Sequence, residues 1–108
     1  MDEISYEEFA KLDMRVGKIE AAKKVEGTDK LVELSVDIGT EKRTLVAGIA
    51  DVYLPESLPG KSIVVLANLK PRMIRGIESK GMLLAADAAG MPVLLTVDKE
   101  APVGASIR

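Results

Sequence analysis

The sequence predicts a mainly all-β fold, a small barrel or sandwich with a short N-terminal helix. Apolar and polar residues alternate from Val32 to Ile38, the pattern of a strand with one buried face. Turn-forming residues recur about every ten residues between short apolar segments, as they do in small β-domains. The 108 residues include 47% hydrophobic residues, enough for one packed core. We therefore expect residues 1–108 to form a single domain.

The N-terminal helix is predicted from a capping signal. Ser5 precedes Glu8 by three residues, the spacing of a capping box. Tyr6, Phe9 and Leu12 then fall on one helical face. These features predict a short helix over residues 5–12.

The first half of the chain predicts three strands. Residues 14–25 mix apolar and basic side chains and predict a long strand with a bend or bulge near Gly17. The alternating strand at 32–38 is followed by a turn at 39–42. Residues 43–49 then predict a strand that returns antiparallel.

The second half predicts shorter elements. Pro55 is suited to open a single helical turn. Residues 68–81 contain basic residues, Pro and Gly, and predict a loop long enough to be functional. Three further strands are predicted, at Ser62–Ala67, Met82–Ala86 and Val93–Val97, with a turn at Gly90–Pro92 before the last. The OB fold is a five-stranded barrel of this size, but periodicity alone does not distinguish it from an SH3-like barrel.

The composition restricts the possible chemistry. The chain has no Cys and no His, which removes thiol nucleophiles, the usual general base and most zinc sites. We therefore expect no enzymatic activity, no metal and no cofactor. The longest apolar runs, 63–67 and 82–86, have five residues each, far below the ~20 that span a membrane. The N-terminus carries negative charge, whereas targeting peptides carry positive charge. We therefore expect a cytoplasmic protein without a membrane partner.

Positive charge is concentrated in one segment of an acidic chain. The net charge is −2, yet residues 61–80 hold five basic residues and a single acid, Glu78. The segment is either a solvated loop with scattered charge or a surface that binds phosphates. The chain has only three aromatic residues, so it offers few rings on which nucleic-acid bases could stack. If the ligand is a nucleic acid, charge and shape are expected to dominate, as with structured RNA.

Residues 68–72 and 75–86 resemble a known family. They are similar to the tRNA-binding domain that occurs alone or at the C-terminus of methionyl-tRNA synthetase. The same domain is found in the endothelial-monocyte-activating polypeptide and in the yeast synthetase cofactor Arc1p. Supporting similarity runs along the chain at Phe9–Ile19, Asp29–Leu31, Val36–Gly39, Gly48–Ala50 and Tyr53–Glu56.

This resemblance implies an OB barrel that binds the outside corner of tRNA by shape. It also implies a homodimer, with the N-terminal helix and residues 93–107 at the contact. Two positions depart from the family pattern: Met73 stands where Lys is common, which predicts reduced affinity, and Ala47 stands where Ser is frequent. The residues that fall on the tRNA-binding motif are Asn68, Lys70, Arg72, Arg75, Ser79 and Met82.

The six motif residues have different expected roles. The Lys and Arg side chains would bind phosphates, and Asn68 and Ser79 would bond phosphate or 2′-hydroxyl groups. Met82 would pack on a sugar or base. Two alternatives remain open, because Asn68 is also suited to cap a turn and Met82 to fill a core.

Two functions follow from the resemblance. The first is non-catalytic tRNA binding, either free or in assistance to methionyl-tRNA synthetase in trans. The second is that of the CsaA-like export chaperones, which resemble the same domain and bind unfolded polypeptides. The basic block at 68–86 favours tRNA over a peptide.

Overall fold

Short β-strands make up most of the regular structure in the computed structural model, which describes residues 1–108. A single turn of α-helix, α1 (Tyr6–Phe9), and a 3₁₀ turn at Pro55–Ser57 are the helical elements. The strands are β1 (Met14–Lys24), β2 (Val32–Asp37), β3 (Lys42–Ala47), β4 (Ser62–Leu66), β5 (Arg72–Ile74), β6 (Ile77–Ser79), β7 (Met82–Leu83), β8 (Ala85–Ala88), β9 (Met91–Leu94) and β10 (Ser106–Ile107). Neither helical element is a candidate for spanning a membrane.

Five strands form a nearly closed antiparallel barrel in the spatial order β3-β2-β1-β4-β7. β1, β2 and β3 form a meander, and β4 returns to pair with β1, which is a Greek-key arrangement. The barrel closes where the Lys80 N–H donates to the Thr44 carbonyl over 2.9 Å. A five-stranded Greek-key barrel is the architecture of the OB fold. The prediction of an all-β OB-like barrel is therefore confirmed.

The core is built from the alternating face of β2. The side chains of Val32, Leu34 and Val36 are fully buried, and those between them are partly exposed. In β4, three consecutive residues, 63–65, are buried because β1 and β7 flank the strand. The strands predicted at 32–38 and at Ser62–Ala67 are confirmed, as is the helical turn that begins at Pro55.

The N-terminal helix is capped as predicted but is shorter than the predicted range of 5–12. The Glu8 N–H donates to Ser5 Oγ over 3.1 Å, and the Ser5 N–H donates to Glu8 Oε1 over 3.0 Å. The helix nevertheless ends at Phe9, and none of its residues is buried. Since tertiary packing supplies most of a helix's stability, an unpacked helix of this kind does not extend. Tyr6 remains 75% exposed.

The irregularity in β1 lies at a different place from the predicted one. The register with β2 shifts between Ile19 and Ala21, not at Gly17. Gly17 has another role, because a Cβ there would lie 2.8 Å from Val36 Cγ1 and 3.0 Å from Val65 Cγ2. The glycine lets two core side chains pack against the backbone of β1, and it does not bend the strand.

Residues 68–81 are not the predicted loop. They contain the hairpin β5–β6, in which Arg72 pairs with Ser79 and Ile74 with Ile77. Arg75 and Gly76 form its two-residue turn with φ angles of 52° and 80°, as a type I′ turn requires. Non-glycine residues seldom adopt such angles, so the Arg at the first turn position gave no sequence signal for a hairpin.

The segment that follows also differs from the prediction. The predicted strand at 82–86 is divided into β7 and β8, and the predicted strand at 93–97 is instead β9, Met91–Leu94. β8 and β9 form a second hairpin that turns at Ala89 and Gly90, both with positive φ. The observed turn therefore begins one residue before the predicted Gly90–Pro92. It also ends earlier, because Met91 and Pro92 lie within β9.

The C-terminal extension is attached along β1. β10 pairs with the start of β1, with Met14 opposite Ile107. Two backbone hydrogen bonds continue the attachment, from Val16 N–H to the Ala105 carbonyl over 2.9 Å and from Gly104 N–H to the Val16 carbonyl over 2.7 Å. This brings the C-terminal end beside the N-terminal helix.

Candidate nucleic-acid interface

The β5–β6 hairpin presents three unpaired positive charges. Lys70 precedes β5, Arg72 begins it and Arg75 lies at the tip, and all three side chains are exposed. None forms a salt bridge or a side-chain hydrogen bond, although six other basic residues of the chain are in salt bridges. Lys80, on the same segment, pairs with Glu78 at 3.6 Å. The hairpin therefore carries free cations that are available to an anionic ligand.

A groove runs beside this hairpin. It has a volume of about 270 Å³ and lies between the end of β3, the start of the hairpin and residues 79–85. Lys70, Arg72, Ser79 and Met82 line it, whereas Asn68 and Arg75 lie outside. We call this feature the basic groove. It brings together four of the six predicted site residues.

Lys61, although in the basic segment, is separate from the basic groove. It lines a different depression together with Tyr53 and Lys99. The acidic side chains of Asp98 and Glu100 are part of the same depression. The positive surface is therefore the hairpin, and it is smaller than the sequence window 61–80.

Asn68 is hydrogen-bonded to the backbone at both of its polar atoms. Its Oδ1 accepts from the Asp13 N–H over 2.9 Å, and its Nδ2 donates to the Lys11 carbonyl over 2.6 Å. The side chain thus ties the N-terminal segment to the end of β4 and does not cap a local turn. Its contacts position the residues at the start of the hairpin.

Ser79 is buried, with 5% of its surface exposed. Its Oγ accepts from the Val46 N–H over 3.0 Å and donates to the Gly81 carbonyl over 3.3 Å. These bonds join the second strand of the hairpin to β3 at the closure of the barrel. Met82, by contrast, is 44% exposed and lines the basic groove, so it is not part of the core.

We expect Ser79→Ala to lower stability by about 1–3 kcal/mol, because it leaves the Val46 N–H without its partner in a part-buried site. Urea denaturation of the purified protein measures this. Ser35→Ala is the matched control, since Ser35 lies in β2 and its side chain makes no hydrogen bond. Equal destabilisation of the two variants would contradict a closing role for Ser79.

Arg43 is a residue that sequence reasoning missed. Its Nη1 donates to the carbonyls of Ala67 and Lys80, which precede and follow the hairpin. Its Nε donates to Glu41, and this bond holds the pKa of the Glu41 carboxyl below its usual value. Arg43 therefore fixes both ends of the segment that carries the free charges. No local pattern distinguishes such a residue from any other basic residue in a strand.

A second ion pair lies near the same end of the barrel. Arg15 donates two hydrogen bonds to the Asp13 carboxylate, at 2.9 and 2.8 Å. This contact lowers the pKa of Asp13 and raises that of Arg15. The pair braces the stretch of backbone that Asn68 also holds.

The turn at Arg75 has an energetic cost. A non-glycine residue at this left-handed φ is less stable by roughly 1–2 kcal/mol, and Asn is far better suited to the first position of a type I′ turn. We expect Arg75→Asn to raise the melting temperature by a few degrees and Arg75→Lys to leave it unchanged. Thermal denaturation of both variants tests this, and a less stable Arg75→Asn would contradict it.

Comparison with known proteins agrees with the fold and shows the family. The sequence profile of the family described as "Putative tRNA binding domain" matches residues 14–106. The chain is 52% identical over 106 residues to the methionine–tRNA ligase of Archaeoglobus fulgidus, an alignment that covers 98% of this chain and 16% of the ligase. This chain therefore belongs to the tRNA-binding domain family, and it spans about a sixth of the length of the curated relatives it matches.

Two solved structures extend the comparison. A MetRS-related protein from Pyrococcus horikoshii superposes with a TM-score of 0.94 at 44% identity, covering all of both chains. The chaperone CsaA from Bacillus anthracis superposes with a TM-score of 0.90 at 30% identity, covering 99% of this chain and 100% of that one. The same barrel thus occurs in a synthetase-related protein and in a chaperone.

Proposed function

We propose that residues 1–108 act as one non-catalytic, structure-specific tRNA-binding domain, working free or in assistance to methionyl-tRNA synthetase in trans. The observation that carries the proposal is the set of unpaired cations formed by Lys70, which precedes the β5–β6 hairpin, and by Arg72 and Arg75 within it. Phosphate contacts of this kind position a protein on RNA without reading its bases. Because the rest of the chain is acidic, RNA is repelled elsewhere and oriented towards the hairpin.

The similarity to full-length methionine–tRNA ligases supports a role in translation and the proposed cytoplasmic location. The MetRS-related structure, which this chain covers in full, supports action as a separate chain. The chain offers no His or Cys for catalysis, so the contribution to aminoacylation is delivery of tRNA.

A gel-shift titration of the protein against total tRNA tests the proposal. We expect a complex at low salt that weakens steeply as salt is raised, because each cation–phosphate contact releases counterions. Unfolded polypeptide should not displace the tRNA. A protein that retains no tRNA at low salt would refute the function.

Chaperone activity is the second candidate, since CsaA shares the fold and the basic groove has an apolar lining. The three unpaired cations on the hairpin favour RNA over a polypeptide, whose backbone is neutral. Suppression of the aggregation of an unfolded client protein, independent of Lys70 and Arg72, would favour the chaperone instead.

We further propose that the protein is a homodimer. The N-terminal helix and the C-terminal strand border a depression lined by Tyr6, Phe9, Leu12 and Ile107. Tyr6 and Leu12 are 75% and 43% exposed in the single chain, and such apolar exposure is typical of an interface. A dimer would duplicate the hairpin and let two cation clusters act on RNA together.

Light scattering at micromolar concentration should give twice the 11.6 kDa of one chain. Phe9→Asp should give the monomer, because a carboxylate would be buried unpaired at the contact. Leu54→Asp is the control, an exposed leucine away from this depression. A wild-type mass of one chain at every concentration would refute the dimer.

A further inference from the structure

The basic groove has an apolar floor that phosphate binding does not use. Leu69 and Met82 are 37% and 44% exposed, and Ile74 and Pro92 contribute to the same lining. The sugar–phosphate backbone of RNA is polar, so the base faces are the part of RNA that such a floor fits. In a paired A-form helix those faces are stacked inside. A base that reaches the floor must therefore be unpaired.

The wall of the basic groove offers a free peptide group. Gly48 is exposed, and neither its N–H nor its carbonyl forms a hydrogen bond within the chain. Packing does not require glycine here, because a Cβ would meet only Leu31 Cδ2, at 4.0 Å. The absence of a side chain instead leaves one donor and one acceptor open to a ligand. A nucleobase edge carries the complementary pattern.

The size and charge of the basic groove point to a single nucleotide. Its volume of about 270 Å³ is below the ~300 Å³ at which pockets for drug-sized ligands begin. Lys70 and Arg72 line the groove and are unpaired, so each is free for a phosphate next to the bound base. A polypeptide would use the apolar floor and leave these two charges without partners.

We propose that the basic groove receives one unpaired nucleobase of the bound RNA, with the base on Met82 and Leu69 and its edge on the Gly48 peptide group. The flanking phosphates lie on Lys70 and Arg72. This inference rests on the proposed function and adds to it. Recognition then depends on an extruded nucleotide as well as on the shape of the backbone.

Three synthetic RNAs test the inference: a 12-base-pair duplex, the same duplex with one bulged adenosine, and the same bulge without its base. Titration of the wild-type protein should show the adenosine bulge bound roughly five-fold more tightly than the abasic bulge, the lower end of the range for a base stacked on an aromatic ring, because the floor carries Met82 and Leu69 and no aromatic side chain. The abasic bulge has the same number of phosphates, so the difference isolates the base. Equal affinity for the two bulges would overturn the inference.

Substitutions in the basic groove test whether the preference for the adenosine bulge arises there. Met82→Ser should abolish the preference for the adenosine bulge and leave the salt dependence unchanged, since no charge is altered. Met73→Ser is the matched control, because Met73 is 67% exposed on the hairpin but does not line the groove. Gly48→Ala should also reduce the preference, as its methyl group would cover the peptide.

The outcome separates this inference from the proposed function. If all three RNAs bind equally and with steep salt dependence, RNA binding stands and the base site is refuted. If none of the three RNAs binds, the base site is refuted, and the gel-shift titration against total tRNA decides the proposed function separately. If Met82→Ser abolishes the binding of an unfolded polypeptide and leaves the preference for the adenosine bulge intact, the groove belongs to the polypeptide and the base site is refuted.

Discussion

Replacing Lys70, Arg72 and Arg75 together with Ala is expected to lower tRNA affinity by on the order of 100-fold at low salt. Each exposed contact between a cation and a phosphate is worth up to about 1 kcal/mol, and 1.4 kcal/mol corresponds to a factor of ten. The salt dependence should also fall, by about one unit of slope for each cation–phosphate pair that the substitutions remove. All tRNAs should be affected about equally, because these cations do not read bases.

The control is a triple variant of Lys18, Lys24 and Lys99, which removes the same charge from other surfaces. None of these lysines forms a salt bridge, whereas Lys23 pairs with Glu33 at 3.9 Å and is a less suitable choice. Isothermal titration over a range of salt concentrations compares the two triple variants. If the control weakens binding as much as the hairpin variant does, binding is diffuse electrostatic attraction and the localised surface is wrong.

Gly104→Ala is expected to lower stability by roughly 2–5 kcal/mol, the largest effect we anticipate for a single substitution outside the core. A Cβ at this position would lie 2.9 Å from both Gly39 Cα and the Ile38 carbonyl oxygen, and these are backbone atoms that cannot swing aside. The positive φ of 90° adds strain for any side chain. We expect the C-terminal segment to detach from β1.

Hydrogen exchange at the Val16 amide reports this detachment, because that N–H donates to Ala105 in the intact protein. Gly60→Ala is the control, with φ of 92° but no atom within 4 Å of the added Cβ. Gly60→Ala therefore adds the backbone strain of a side chain at positive φ but no steric clash. Equal destabilisation by the two substitutions would show that the close approach to Gly39 is unimportant. Since Ile107 borders the proposed dimer contact, Gly104→Ala should also weaken dimerisation.

Local patterns were sufficient for the all-β class and for the short N-terminal helix. The alternation through Val32, Leu34 and Val36 predicted a strand with one buried face, and all three side chains are fully buried. Ser5 and Glu8 predicted a cap that the structure contains. The alternation of buried side chains in a strand and the capping of a helix both depend on residues that are close in sequence. The order of residues alone therefore reveals them. The ordered motifs also identified the family, because they preserve residue types at fixed spacing.

The roles of the individual site residues depend on contacts between distant parts of the chain. Ser79 bonds a residue 33 positions away, and Asn68 bonds residues 55 and 57 positions away, so no local signal marks either role. Whether a lysine is free or paired also depends on which side chains lie beside it, as the contrast between Lys70 and Lys80 shows. The order of residues was thus enough to specify the class of fold and the presence of excess positive charge. Which of those charges remain available to RNA depends on the packing of the strands, since only the folded chain brings their partners within hydrogen-bonding distance.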